Sequence, residues 1–204
     1  INIINEYMTT YPNEKYIQDL GELILSLLRK PVKSKLSPSW GSIIDTINAN
    51  ISSVSICTKK CKKLMHNIND HCLAIVNARC IPTMVKVMSI HLKSKSISEL
   101  CCYILADISY EQRQKIANAS GIAMIISILQ EYGTQADSLD ICSEAVRALY
   151  NITREKVTLG AVVDADGVSI LLTVMRTYLK SKSVCDLGCR ILADITFHLS
   201  AQHQ

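Results

Sequence analysis

Apolar residues recur along this chain at the spacing of one helix face, and the same face returns at intervals. Val184, Leu187, Gly188, Ile191, Leu192 and Ile195 fall at i, i+3, i+4, i+7, i+8 and i+11, which places them on one stripe of an α-helix. Ile97, Leu100, Cys101, Ile104, Leu105 and Ile108 reproduce that stripe, and the whole stretch from Lys93 to Ser109 matches the stretch from Lys180 to Thr196, 87 positions further on. A unit of half that length predicts a copy between them, and Ile141 to Thr153 follows the pattern. A weaker fourth copy runs from Trp40 to Ser52.

A second block lies upstream of these copies. Asn118–Leu129 aligns with Asp164–Met175, and Asn77–Met88 is a third instance. Each unit reads as a short lead segment, a small-residue turn, an apolar helix, a polar connector and a longer helix. The units fall at about 13–52, 71–109, 110–153 and 154–196, with a helical basic insert over 53–70. Gly121 and Gly167 stand before the middle helix, where a tight turn is expected to need a residue free of Cβ strain. Such units cannot bury an apolar face alone and must stack. The fold expected is therefore all-α, a right-handed α-solenoid of about four three-helix repeats. Residues 1–204 are read as a single repeat domain and as a piece of a longer protein.

The Ala-x-Gly turns ending at Gly121 and Gly167, with the run Ala145-Val-Arg-Ala-Leu-Tyr-Asn-Ile-Thr153, resemble the armadillo repeat. The likeness covers nearly all of 71–196 and, more weakly, 13–52. HEAT repeats are the near alternative; the glycine turn and short first segment favour armadillo. The resemblance implies three helices per repeat, the third lining a concave groove, and a non-catalytic scaffold that holds a partner protein or peptide. In armadillo proteins that bind extended peptides, an Asn just before the terminal Ile of the third helix hydrogen-bonds the ligand backbone. Here that row would be Asn50, Asp107, Asn151 and Asp194. An ionised Asp accepts but does not donate, so the amide ladder is broken at alternate units. Four residues earlier stand Thr46, Tyr103, Arg147 and Arg190, where nuclear-import members carry Trp; one turn further back are Ser42, Glu99, Ser143 and Asp186. Arg190 is expected to pair with Asp186 and Asp194 at i±4. Two central arginines argue against a basic nuclear-localisation peptide as the ligand. The candidate partner-binding residues are Asn50, Tyr103, Asp107, Arg147, Asn151, Arg190 and Asp194.

Composition narrows the classes. Apolar residues make up 49% of the chain against 20% charged, and seven Gly with four Pro are too few for a turn-rich β-sandwich. The net charge of +4 is milder than a dedicated nucleic-acid domain carries. Lys59, Lys60, Lys62 and Lys63 keep a second reading open, contact with nucleic acid or an acidic membrane surface through 57–72. In that stretch Cys57, Cys61, His66 and Cys72 resemble a CCHC zinc knuckle, with the first and last gaps each one residue too long. The same residues scan as a helix with Cys57, Cys61, Leu64, Met65 and Ile68 on one face, and a packed helix with a basic outer face is the reading taken. No metal or cofactor is expected. The cysteine count of nine is odd, and Cys101, Cys102 and Cys189 sit where small hydrophobes would pack. Glycosylation sequons at Asn50, Asn118 and Asn151 include two at the ends of helical runs, an awkward place for a glycan. These features point to reduced thiols and an intracellular, cytoplasmic setting. No run of roughly 18 or more unbroken apolar residues occurs. The phosphate loop, the nucleophile elbow and the His-Glu-x-x-His motif are all missing, and no enzyme activity is expected.

Overall fold

The computed structural model describes residues 8–29 and 39–202, and every regular element among them is a helix. The chain divides into two compact units, Ile1–Ser39 and Trp40–Gln204, where the sequence reading had one domain. In the first unit, helix α1 (Lys15–Arg29) is met by the residues before it. The Gln18 amide donates to the carbonyls of Met8 (2.8 Å) and Tyr11 (2.9 Å). Leu25 is buried.

The second unit runs α2 (Trp40–Ala49), α3 (Val54–Met65), α4 (Ile68–Asn77), α5 (Cys80–Ile90), α6 (Lys95–Asn118), α7 (Gly121–Tyr132), α8 (Leu139–Ile152), α9 (Lys156–Asp164), α10 (Gly167–Thr177) and α11 (Lys182–Gln202). The predicted stripes face inward: Ile97, Leu100, Cys101, Ile104, Leu105 and Ile108 of α6 are all buried, as are Ile141, Ala145, Leu149 and Ile152 of α8. In α11, Val184, Ile191 and Ile195 are buried while Leu187 and Leu192 are half-buried. Each fully buried aliphatic side chain contributes about 1.5–3 kcal/mol, and the stripes of neighbouring helices form one continuous core.

Helix contacts define two rows. In one, α3 packs on α6, α6 on α8 and α8 on α11; in the other, α2 packs on α5, α5 on α7 and α7 on α10. The short helices α4 and α9, and the end of α6 beyond its bend at Gln112, lead into the second helix of each unit. This ordering changes the sequence reading of the first unit. Trp40–Ala49 belongs to the row of second helices, and Val54–Met65, read as an insert, takes the third-helix place against α6.

The turns before α5, α7 and α10 also differ from expectation. Among the described residues no glycine has positive φ; the left-handed residue is the one before, Arg79 (φ 66°), Ser120 (φ 60°) and Asp166 (φ 56°). What Gly121 and Gly167 supply is room. A Cβ on Gly121 would stand 2.7 Å from the Ile116 carbonyl oxygen, and one on Gly167 would stand 2.7 Å from that of Val162. Both glycines let a second helix begin hard against the end of a first helix.

Candidate functional site

The four third helices share a register that their first turns fix. Ser53, Ser94 and Ser138 are the N-caps of α3, α6 and α8, and Ser181 precedes α11. Their backbone N–H groups donate to Asn50, His91, Gln135 and Tyr178, each three residues earlier. Four residues after the serine, Cys57, Ser98 and Cys185 point back to the carbonyls of Ile51 (3.5 Å), Leu92 (3.2 Å) and Leu179 (3.7 Å). Counting from these serines aligns Thr58, Lys62 and His66 with Glu99, Tyr103 and Asp107, then with Ser143, Arg147 and Asn151, then with Asp186, Arg190 and Asp194.

Asn50 is therefore not a member of this row. It ends α2, where its amide donates to the Thr46 carbonyl at 3.0 Å. The other six candidates lie on α6, α8 and α11, and several engage one another. The Arg147 guanidinium reaches Asp107 Oδ1 across the helix pair at 2.7 Å and Glu144 Oε2 at 2.5 and 2.9 Å. It also stands 5.3 Å from the centre of the Tyr103 ring, within cation–π range. Burial pulls the Arg147 pKa down, but the hydrogen bonds it donates to Asp107 and Glu144, with their negative charge, outweigh it and hold the group above its ordinary value. Asn151 donates its amide to the Ala106 carbonyl at 3.1 Å, and the Arg113 side chain donates to the Asn151 carbonyl at 2.8 Å. Arg190 pairs with Asp186 at 3.1 Å, and no ion pair joins it to Asp194 among the described residues. Asp186 holds the Arg190 pKa above its usual value, chiefly by that hydrogen bond. Arg147 is thus a link between helices rather than an open cation.

Two clefts open along this face. The larger, about 350 Å³, is lined by Glu99, Leu100 and Tyr103 of α6, by Asp140, Ser143 and Glu144 of α8, and by Met65 of α3. A smaller one of about 200 Å³ holds Asp194, Phe197 and His198 beside Thr153, Arg154 and Leu159. On α3, Lys59, Lys62 and Lys63 are exposed while Cys57, Cys61 and Leu64 are buried. His66 is exposed with its Nδ1 on the Lys62 carbonyl. The four zinc-knuckle residues do not gather: among the described residues no group of three or more His, Cys, Asp or Glu side chains is placed to hold a metal ion.

A set of polar ties that sequence reasoning missed runs along the turns between second and third helices. His91 Nε2 lies 2.6 Å from the Ile51 carbonyl, and since a carbonyl only accepts, that nitrogen donates. Tyr132 donates to the Leu92 carbonyl at 2.9 Å, and Tyr178 donates to that of Gln135 at 2.5 Å. Each tie joins one unit to the next through a buried side chain. Their recurrence about 40 residues apart is the one signal that would have found them, and the residue type changes between copies. All nine cysteines are free thiols, six of them buried. No single described helix is long and apolar enough to cross a membrane.

No protein-family model matches the chain, and no curated protein matches it at a significant level. Among solved structures, the crystal structure of an engineered protein, a structural-genomics target, superposes with a TM-score of 0.63 at 21% identity. The match covers 78% of this chain and 63% of that protein, so the chain spans less than two thirds of its length. The likeness is one of helical fold alone.

Proposed function

We propose that the chain is an armadillo-type α-solenoid, without catalytic activity, whose row of third helices holds a partner protein in an intracellular setting. The observation that carries this reading is the shared register of α3, α6, α8 and α11. Their inward positions are closed by one core, while the positions of Glu99, Tyr103, Asp107, Arg147, Asn151 and Arg190 put varied polar groups and two clefts on the same face. Repeat arrays of this construction bind partners along such a face. The free thiols, most of them buried, fit a reducing compartment. A photo-crosslinking residue at Tyr103 tests the assignment against the same residue at Gln130, exposed on the second-helix row. The expected outcome is partner capture from Tyr103 and none from Gln130. Capture from Gln130 alone would place the binding face on the other row.

A further inference from the structure

Sulfur is concentrated at one point inside the core. Cys61 of α3, Met84 of α5 and Cys101 of α6 come from three helices, and all three are fully buried. Both thiols point at one thioether: Cys61 Sγ and Cys101 Sγ each lie 3.9 Å from Met84 Sδ. The two thiols are also in hydrogen-bonding contact with each other. Packing alone does not ask for this cluster. In the register of the repeat, the same three positions one unit along are Cys102, Ile125 and Ala145, and two units along they are Cys189, Leu171 and Gly188 where Val146 has intervened on the first row. Isoleucine, leucine, valine, alanine and glycine serve elsewhere in the core, and three sulfurs meet at Met84.

The triangle has the dimensions of a coordination site. Metal–thiolate bonds run about 2.3 Å, so three sulfurs around one ion in a plane stand about 4 Å apart. The spacings of 3.9 Å meet that requirement without moving a helix. Ligand chemistry selects the ion. Thiolate and thioether sulfur together suit monovalent copper, whereas zinc takes four ligands, and among the described residues no group of three or more His, Cys, Asp or Glu is placed to supply them. Charge agrees with this choice. One cuprous ion enters as one thiol proton leaves to solvent, a copper–sulfur bond replacing an S–H bond, so the apolar interior gains no net charge.

We propose that Cys61, Met84 and Cys101 form a three-sulfur site for monovalent copper that ties α3 to α5 and α6. Local opening of these helices admits the ion. The test uses the whole chain with Cys72, Cys185 and Cys189, the thiols that are not buried, replaced by alanine. It is mixed without oxygen with cuprous ion and bicinchoninate, a chromogenic chelator that competes for the metal. The protein is expected to withdraw one equivalent, to show only sulfur neighbours by X-ray absorption at copper, and to melt at a higher temperature. In this background Cys101→Ala and the volume-conserving Met84→Leu should each weaken copper retention by about tenfold or more. Cys102→Ala, which removes an equally buried thiol one position away, should leave it unchanged. Copper left wholly with the chelator, nitrogen or oxygen neighbours, or equal losses in Cys101→Ala and Cys102→Ala would overturn the site. An unchanged affinity in Met84→Leu would overturn the thioether ligand. A melting temperature lowered by copper would overturn the proposal as well, since the ion would then be binding the unfolded chain.

Discussion

Gly121 opens α7 directly against the last turn of α6, so replacing it with alanine probes a close backbone approach between two helices. The added Cβ would meet Ile116 Cγ2 at 2.4 Å and the Ile116 carbonyl oxygen at 2.7 Å. The methyl group can rotate away, but the carbonyl belongs to the backbone, so the ends of α6 and α7 must part by roughly half an ångström. Overpacking of this kind costs about 1–3 kcal/mol, and the better helix propensity of alanine returns at most about 1 kcal/mol. The expected net loss is about 1–2 kcal/mol. Gly160 gives the opposite result from the same substitution. It sits in α9 with nothing within 4 Å of a built Cβ, so Gly160→Ala should stabilise by about 0.5–1 kcal/mol. Urea unfolding followed by circular dichroism measures both, with the slope of the transition checking that only stability has moved. At this chain length each kcal/mol corresponds to about 2–4 °C in melting temperature. If Gly121→Ala is as stable as the parent, or moves in the same direction as Gly160→Ala, the close-approach argument fails.

Tyr178→Phe removes the hydroxyl that ties the Gln135 carbonyl, which keeps only the Ser138 N–H, and leaves the buried Cys142 thiol without its acceptor; a loss of about 1 kcal/mol is expected in the same urea assay. The buried thiols set an alkaline limit. Burial pushes Cys142 up to about 11 from 9.0, the Tyr178 hydrogen bond offsetting part of the effect, and burial also raises Cys80 and Cys102. A thiol whose folded pKa is raised keeps its proton where the unfolded chain has lost it. Its stabilising contribution is thus complete below pH 9.0 and falls as pH rises from there towards about 11. The urea midpoint should drop across that window, and Cys142→Ala should flatten the drop; an unchanged profile would refute the assignment. With a thiol-specific chromogenic disulfide at neutral pH, exposed Cys189 should react before half-buried Cys72 and Cys185, and the six buried thiols only on unfolding.

The sequence carried the later units further than the first, for a physical reason. From α4 onward the third helices have stripes of Ile, Leu and Ala, and their repetition locates both the helices and their inward faces. In α3 the stripe is thin, with Cys57, Cys61 and Leu64 inward and four lysines around them. Trp40–Ala49, richer in isoleucine, looked more like a third helix than the true one did, which carried Asn50 into the wrong row. Likewise, the glycines marked the turns correctly, but the left-handed φ fell on Ser120 and Asp166, which periodicity does not distinguish from ordinary polar linkers. The state of Arg147 was hidden for a different reason. Its partner Asp107 is 40 residues away on another helix, and only i±3 and i±4 pairings can be read along one strand of sequence.

That pairing makes Arg147→Ala the sharpest separation between a residue that touches the partner and one that shapes the surface. A direct contact would be lost with the side chain, and binding would weaken. In the structure the guanidinium is spent on Asp107 and Glu144, whose side chains are only 14% and 25% exposed. Removing it leaves both carboxylates unpaired, and with Arg147 itself 34% exposed the cost, discounted for solvent screening, is about 1 kcal/mol. The same change uncovers negative charge at the rim of the α6–α8 cleft. A cationic peptide held on this face should then bind more tightly, with the gain shrinking as salt is raised. Asp107→Asn supplies a control of opposite sign: it weakens the same link between helices but removes a negative charge and leaves Arg147 less neutralised, so it should also lower stability while weakening the binding of a cationic peptide. A loss of cationic-peptide binding in Arg147→Ala, with the melting temperature nearly unmoved, would refute the internal-link role and make Arg147 a contact residue after all.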